Sequence, residues 1–236
     1  MIDCGSKFSL ALTYDGDVYS WGGNEFNELG RPKGSGPAVL EDGATPAEVA
    51  EWEAAKAAEA RPAIIEELKL RRKHHAGIVG MSAGARHSVV VNSAGQVMCW
   101  GCNEFGNLGN GDTYNYEGIH QVLGDLTGKT VSHVAAGWRN SAALTSDGDV
   151  FVWGMTSLSA RDSDRPMPNL PGKKGSHGPD LGPMQSISAV PKKIYRAGQS
   201  LTTAVDVHSS WSRNISSLSV TVRSRHTELV RRAQTA

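Results

Sequence analysis

Two cysteines separated by two residues are the side chains in this sequence that most directly suggest chemistry. Cys99 and Cys102 have the C-x-x-C spacing of redox-active dithiols and of half a zinc site. A zinc site needs further ligands, but the sequence has only one other cysteine, Cys4, and no second C-x-x-C. The eight histidines include no H-E-x-x-H. We therefore predict no metal site and no cofactor.

Motifs for enzyme chemistry are also missing from the sequence. It has no G-x-S-x-G nucleophile turn, no phosphate-binding glycine loop and no dinucleotide-binding fingerprint. His87 stands inside a repeated segment, and we interpret it as a residue that hydrogen-bonds within its structural unit rather than as a catalytic base. The sequence therefore predicts a protein that is not an enzyme.

A basic residue recurs at one position of three similar segments. Each segment starts with a glycine, and the second residue after that glycine is Lys7, Arg86 or Arg139. Aromatic residues stand beside two of them, Phe8 and Trp138. Arginine and aromatic side chains are enriched where proteins bind one another. We predict that these five residues form a partner-binding stripe. The alternative is that the basic side chains pair with acidic residues of neighbouring units.

The three segments, residues 5–22, 84–101 and 137–154, align without a gap and are internal repeats. Serine, glycine, valine and tryptophan recur at fixed offsets, and every copy ends in Trp-Gly. Alternating apolar residues followed by Asp-Gly or Ala-Gly predict a β-hairpin in each copy. The alignment also weakens a redox role for the C-x-x-C, because other residue types fill both cysteine positions in the other copies.

The repeat spacing indicates the architecture. Gly84 and Gly137, which start the second and third copies, are 53 residues apart. A unit of about 50 residues that contains a hairpin fits a four-stranded propeller blade. Residues 83–112 resemble the signature of the regulator-of-chromosome-condensation repeats, AGxxHS…GxVxxWGxNxxGxLGxGD. The resemblance implies an all-β propeller of about seven blades. Because the chain has too few copies to close that ring, we expect a partial, open propeller of about three to four blades.

Five regions follow from this pattern. We predict a first blade repeat at 1–32, a helical insertion at 33–80, and the second and third repeats at 81–155. A loop rich in proline, glycine and serine is predicted at 156–189, and a degraded fourth repeat with a basic tail at 190–236. Within the insertion, Thr45-Pro46-Ala47-Glu48 has the form of a capping box with proline at the first helical position.

The resemblance implies several functions, because the family includes interaction modules, an exchange factor for a nuclear GTPase and a plant ultraviolet-B photoreceptor. We expect a protein–protein interaction module or regulator that acts through one propeller face. One alternative is a guanine-nucleotide exchange factor for a small GTPase. Another is an ultraviolet-B photoreceptor-like protein, since Gly137-Trp138-Arg139 resembles the Gly-Trp-Arg motif of the plant receptor.

Charge and hydropathy give weaker indications of the partner and the compartment. Residues 1–154 carry 12 basic and 19 acidic residues, a net charge of −7, whereas residues 155–236 carry 12 and 5, a net charge of +7. This asymmetry leaves a nucleic-acid or chromatin partner open, although the basic residues are scattered. No apolar run is long enough for a membrane span and no secretory signal is present, so we expect a cytoplasmic or nuclear protein without membrane partners.

Overall fold

Three four-stranded antiparallel sheets form most of the fold. The computed structural model of the chain describes residues 1–32, 44–74, 76–156, 186–195, 202–212 and 215–224. The first sheet contains β1 (Ile2–Cys4), β2 (Phe8–Leu12), β3 (Val18–Gly22) and β4 (Ala63–Ile64). The second contains β5 (Ile78–Ala83), β6 (His87–Asn92), β7 (Val97–Gly101) and β8 (His120–Gln121). The third contains β9 (Val131–Ala136), β10 (Asn140–Thr145), β11 (Val150–Thr156) and β12 (Ser186–Tyr195).

Each predicted hairpin is present as the central strand pair of one sheet. The register is the same in all three, because the repeated serine faces the repeated tryptophan: Ser9↔Trp21, Ser88↔Trp100 and Ser141↔Trp153. The turn glycines have φ between 79° and 85°, a conformation that L side chains rarely adopt. The repeat in the sequence is therefore a repeat of strand pairing.

Neighbouring sheets contact one another in chain order through their first strands. Strands β1 and β2 contact β5, and β5 and β6 contact β9. Apolar residues from both faces of β6 connect the two inter-sheet cores, because Val90 packs toward the first sheet while Val89 and Val91 pack toward the third. This stacking produces the predicted open propeller, in which each sheet is one blade.

The segment between the first two hairpins contributes two helices and one strand. Helices α1 (Pro46–Glu59) and α2 (Glu66–His74) confirm the predicted helical insertion, and Thr45 and Glu48 form the capping box. Strand β4 lies between the helices and pairs with β3, so the insertion also completes the first sheet. Ile65 and Leu68 anchor the start of α2 in the core between the first two sheets. In the described ranges, no helix is long and apolar enough to cross a membrane.

The last strand of the third sheet comes from a part of the chain far beyond the other three strands in sequence. β12 pairs with β11 and spans the boundary predicted at residue 190, so Ser186–Ala189 belong to a strand rather than to the predicted loop. Asp149 and Lys193 join these strands with an ion pair of 2.5 Å, because β-pairing brings distant residues together. Residues 157–185 of that loop lie outside the described residues. A hairpin of β13 (Thr202–Ser212) and β14 (Ile215–Ser224) then contacts β9 and β10.

Candidate partner-binding face

The three basic residues of the repeat are held by the same backbone contact. The carbonyl oxygens of Lys7, Arg86 and Arg139 accept hydrogen bonds of 2.7–2.8 Å from the amides of Gly23, Cys102 and Met155, respectively. Those amides belong to the residues that follow Trp-Gly in each repeat. The basic residues therefore lie at equivalent positions on the same end of each sheet, where we define the basic face as Lys7, Arg86, Trp138 and Arg139.

The Trp-Gly bend is what permits this contact. Gly101 has φ +107°, and a Cβ atom at that position would lie 2.5 Å from the carbonyl oxygen of Arg86. The glycines of the other two repeats meet the same obstacle at Lys7 and Arg139. Any larger residue would push the strand end away from the basic turn, so the repeated glycine positions the basic residue.

The two arginines stack on phenylalanine rings of the preceding sheet. The guanidinium carbon of Arg86 lies 4.9 Å from the centre of the Phe26 ring, and that of Arg139 lies 4.4 Å from the centre of the Phe105 ring. Both phenylalanines lie in the turn that follows Trp-Gly in the preceding repeat. A guanidinium over a ring face keeps the N–H groups at its edge free to donate hydrogen bonds. The ring contacts thus hold each arginine in place without consuming its donors, and Nη1 of Arg139 also donates to Met155 Sδ at 3.9 Å.

Lys7 behaves differently from the two arginines. Its Nζ donates to Glu25 Oε1 at 3.0 Å within the first repeat, and both side chains are at least half exposed. This hydrogen bond lowers the pKa of Glu25. The alternative interpretation, pairing with acids of a neighbouring unit, therefore does not describe Lys7, whose acid belongs to its own repeat.

The structure corrects one residue of the predicted stripe. Phe8 is only 3% exposed and packs in the core between the first two sheets, next to Leu10 and Leu12 in strand alternation. It cannot contact a partner from that position. Trp138, in contrast, is half-buried beside Arg139. The stripe is thus reduced to the four residues of the basic face.

A small cleft opens between the second and third sheets. It has a volume of about 140 Å³, and Arg86, Trp138 and Arg139 all line it. Its other lining residues are Ala85, Cys102, Glu104, Phe105 and Asn107. This cleft therefore unites three of the four residues of the basic face, whereas Lys7 lies outside it.

Hydrogen bonds between neighbouring sheets, which we call joints, support the basic face. The sequence alone did not reveal them. The indole N–H of Trp100 donates to the carbonyl of Glu28 at 2.7 Å, and that of Trp153 donates to the carbonyl of Asn107 at 2.7 Å. Both indoles are fully buried, whereas Trp21 in the first sheet is half-buried. Among the described residues, a preceding sheet covers Trp100 and Trp153 but not Trp21, which accounts for the difference among the three repeated tryptophans.

His87 belongs to one of these joints, because one of its hydrogen bonds stays within the second repeat, as predicted, and the other reaches the third sheet. Its Nε2 lies 2.9 Å from Ser141 Oγ, and its Nδ1 lies 3.3 Å from Asn107 Nδ2. Complete burial lowers the pKa of His87 to about 4, so the ring is neutral at pH 7. The neutral His87 ring therefore connects the second and third sheets through its hydrogen bonds to polar side chains.

The two cysteines of the C-x-x-C are also buried. Burial raises the pKa of Cys102 to about 11 and that of Cys99 still further above the ordinary value. Thiolates are the reactive form, so both groups are chemically inert near neutral pH. Within the described part of the chain, no cluster of three His, Cys, Asp or Glu side chains is arranged to hold a metal ion.

Comparison with known proteins agrees with this geometry. Residues 2–28, 78–107 and 131–157 match the family described as regulator of chromosome condensation (RCC1) repeat. Each matched segment coincides with the first three strands of one sheet. Three segments of the chain therefore match the RCC1 repeat, and each segment forms most of one blade of the open propeller.

Relatives and a solved structure resemble the chain over much of its length. The chain is 28% identical over 170 residues to the mitochondrial RCC1 domain-containing protein RUG3 of Arabidopsis thaliana, covering 72% of this chain and 31% of RUG3. It is 29% identical over 184 residues to the ultraviolet-B receptor UVR8 of the same plant, covering 65% and 40%. The crystal structure of Prp20p from Saccharomyces cerevisiae superimposes with a TM-score of 0.52 at 17% identity, covering 100% and 58%. The chain thus spans well under half the length of these two plant relatives.

Proposed function

We propose that this chain is a protein-interaction module that binds a partner through the basic face, with no chemistry of its own. The observation that carries the proposal is the stacking of Arg86 and Arg139 on the phenylalanines of the preceding sheets. Arginines fixed before binding lose little side-chain entropy when a partner arrives, which favours affinity. Trp138 adds a half-exposed aromatic surface beside them, a composition typical of binding hot spots.

Charge reversal tests this proposal. The full chain and its Lys7→Glu, Arg86→Glu, Arg139→Glu triple variant are used as matched baits, and captured proteins are quantified by mass spectrometry. A second triple variant, Arg61→Glu, Lys69→Glu, Lys129→Glu, changes the net charge equally but lies outside the basic face. We expect the first variant to lose specific partners that the second retains, with similar urea midpoints for all three proteins.

Two results would count against the proposal. Equal losses in both triple variants would show that capture depends on net charge alone. Unfolding of the first variant would show that the basic residues are needed for the fold itself. A nucleic-acid partner would instead give an affinity that falls steeply with salt concentration.

Nucleotide exchange on a small GTPase is a second candidate. Prp20p has binding properties toward Gsp1p and histones, and it shares its fold with this chain. Exchange requires a shaped surface that displaces a nucleotide, so it needs no catalytic side chain on this chain. A nucleotide-release assay with purified small GTPases separates the candidates, because acceleration indicates exchange and binding without acceleration indicates a scaffold.

A light response is supported by one motif, Gly137-Trp138-Arg139, and by the similarity to UVR8. Irradiation at ultraviolet-B wavelengths should then change the oligomeric state or fluorescence of the wild-type chain but not of Trp138→Phe. We also propose a cytoplasmic or nuclear location. Because the relative RUG3 is mitochondrial, fluorescence microscopy of the tagged protein is the direct test.

A further inference from the structure

The cleft between the second and third sheets has the size of a single side chain. Liquid water occupies about 30 Å³ per molecule, so a cleft of about 140 Å³ holds roughly four or five waters. Pockets for cofactors and drug-sized ligands begin at about 300 Å³. The occupant that fits is therefore one side chain with its peptide unit, inserted from the surface of a partner.

Two guanidinium groups make the cleft attractive to an anionic group. Arg86 and Arg139 line the cleft from equivalent turns of adjacent sheets, and the guanidinium group of each one lies over a phenylalanine ring. Planar guanidinium groups match the two oxygens of a carboxylate, and such charge-assisted hydrogen bonds are stronger than neutral ones. Glu104 also lines the cleft, so its carboxylate competes with an incoming anion for these donors.

Asn107 gives the cleft a fixed wall. The residue is 2% exposed, its carbonyl accepts from Trp153 and Ser141, and its Nδ2 lies 3.3 Å from His87 Nδ1. Its Oδ1 atom is enclosed as well, so it is not available to a ligand. The cleft therefore offers a ligand the N–H donors of the two arginines.

We propose that this cleft is a subsite for an acidic residue of a peptide, with the side-chain carboxylate between Arg86 and Arg139. The inference rests on the proposed function, because it names the chemistry that the partner presents to the basic face. A nucleic-acid strand fits less well, because it is a polyanion and residues 1–154 carry a net charge of −7.

Small probes test the subsite on the full chain without requiring the partner. N-acetyl-glutamate N-methylamide is titrated while NMR records the Nε–H signals of Arg86 and Arg139 and the indole N–H signal of Trp138. We expect these signals to shift, and the isosteric N-acetyl-glutamine N-methylamide to bind about tenfold more weakly, since it lacks the charge.

Variants of the chain give matched comparisons for the same titration. Arg86→Gln and Arg139→Gln should each weaken binding about tenfold, while Glu104→Gln should strengthen it by removing the competing carboxylate. Lys7→Gln should leave binding unchanged, because Lys7 has the same repeat position but lies outside the cleft. Circular dichroism of each variant confirms that it is folded, and the comparison among probes needs no variant at all.

The inference is overturned if the glutamine probe binds as tightly as the glutamate probe, or if Lys7→Gln weakens binding as much as Arg86→Gln. It is also overturned if dimethyl phosphate binds as tightly as the glutamate probe, which would indicate a phosphate site. Failure of the proposed function can be distinguished from failure of the acidic subsite. Partner capture that depends on the basic face without probe binding removes only the acidic subsite, whereas probe binding with no partner capture removes the interaction module.

Discussion

The three repeated tryptophans allow the joints between sheets to be measured with one substitution at matched positions. Trp100 and Trp153 are fully buried and donate to carbonyls of the preceding sheet, whereas Trp21 is half-buried. Replacing each with phenylalanine keeps an aromatic ring and removes the N–H donor. The same substitution therefore removes an inter-sheet hydrogen bond at Trp100 and Trp153, and Trp21 serves as the control position.

The expected magnitude follows from two losses. An inter-sheet hydrogen bond contributes about 1 kcal/mol, and both acceptor carbonyls keep a second donor, Ser88 or Ser141, so neither is left unpaired. Trimming a fully buried indole to a phenyl ring leaves a cavity that costs about 1–2 kcal/mol. We predict that Trp100→Phe and Trp153→Phe each lower the free energy of unfolding by about 2–3 kcal/mol, and Trp21→Phe by less than about 1 kcal/mol.

Urea denaturation followed by circular dichroism supplies these free energies, because the unfolding free energy falls linearly with urea concentration. The slope of that line reports whether the sheets unfold together. Similar losses for Trp21→Phe and Trp100→Phe would contradict the proposed joints, since only the second tryptophan has a preceding sheet to bond. A loss below about 0.5 kcal/mol at both buried positions would contradict them as well.

Three further predictions concern His87, the cysteines and the glycine beneath Trp100. Folding lowers the pKa of His87 from 6.5 to about 4, so the contribution of the neutral ring to the free energy of unfolding is fully present above pH 6.5. That free energy should fall by about 3 kcal/mol as the pH drops toward 4. Urea midpoints of His87→Gln should not show this pH-dependent loss. Ellman's reagent at pH 8 should modify Cys4, which is exposed, in the native chain and the two buried cysteines only in denaturant. A Cβ on Gly30 would lie 2.8 Å from the indole nitrogen of Trp100, whereas one on Gly111 would meet nothing within 4 Å. Both glycines have positive φ, so thermal unfolding should show Gly30→Ala to be the less stable variant by at least about 1 kcal/mol.

The hairpins and the start of the first helix were predictable because each requires particular residue types at neighbouring positions of the sequence. Turn glycines and alternating apolar residues indicated the three hairpins, and the spacing of the copies indicated blades. The capping box at Thr45 and Glu48 located the start of α1. Each of these signals arises from contacts between residues close together in the chain, and such contacts require particular residue types.

Contacts between sheets were not predictable in the same way. The carbonyls of Glu28 and Asn107 accept the indole hydrogen bonds, and every residue has a carbonyl, so no residue type marks the acceptor. Strand β12 pairs with β11 across residues 157–185, a separation that no local pattern bridges.

Phe8 was assigned to the partner-binding stripe because it is an aromatic residue next to the repeated basic residue Lys7. The alternation of Phe8, Leu10 and Leu12 along β2 was the signal for its burial. A period-two pattern assigns all three to one face of the strand, so it should have outweighed the position of Phe8 beside Lys7.

Hydrogen–deuterium exchange with a captured partner is the sharpest test of binding through the basic face, because it reports which end of the sheets is covered. We expect protection in residues 84–87, 102–107 and 137–140, the turns that carry the basic face and its cleft. Protection confined to the hairpin turns at the opposite end, residues 15–16, 94–95 and 147–148, would show that the partner binds elsewhere.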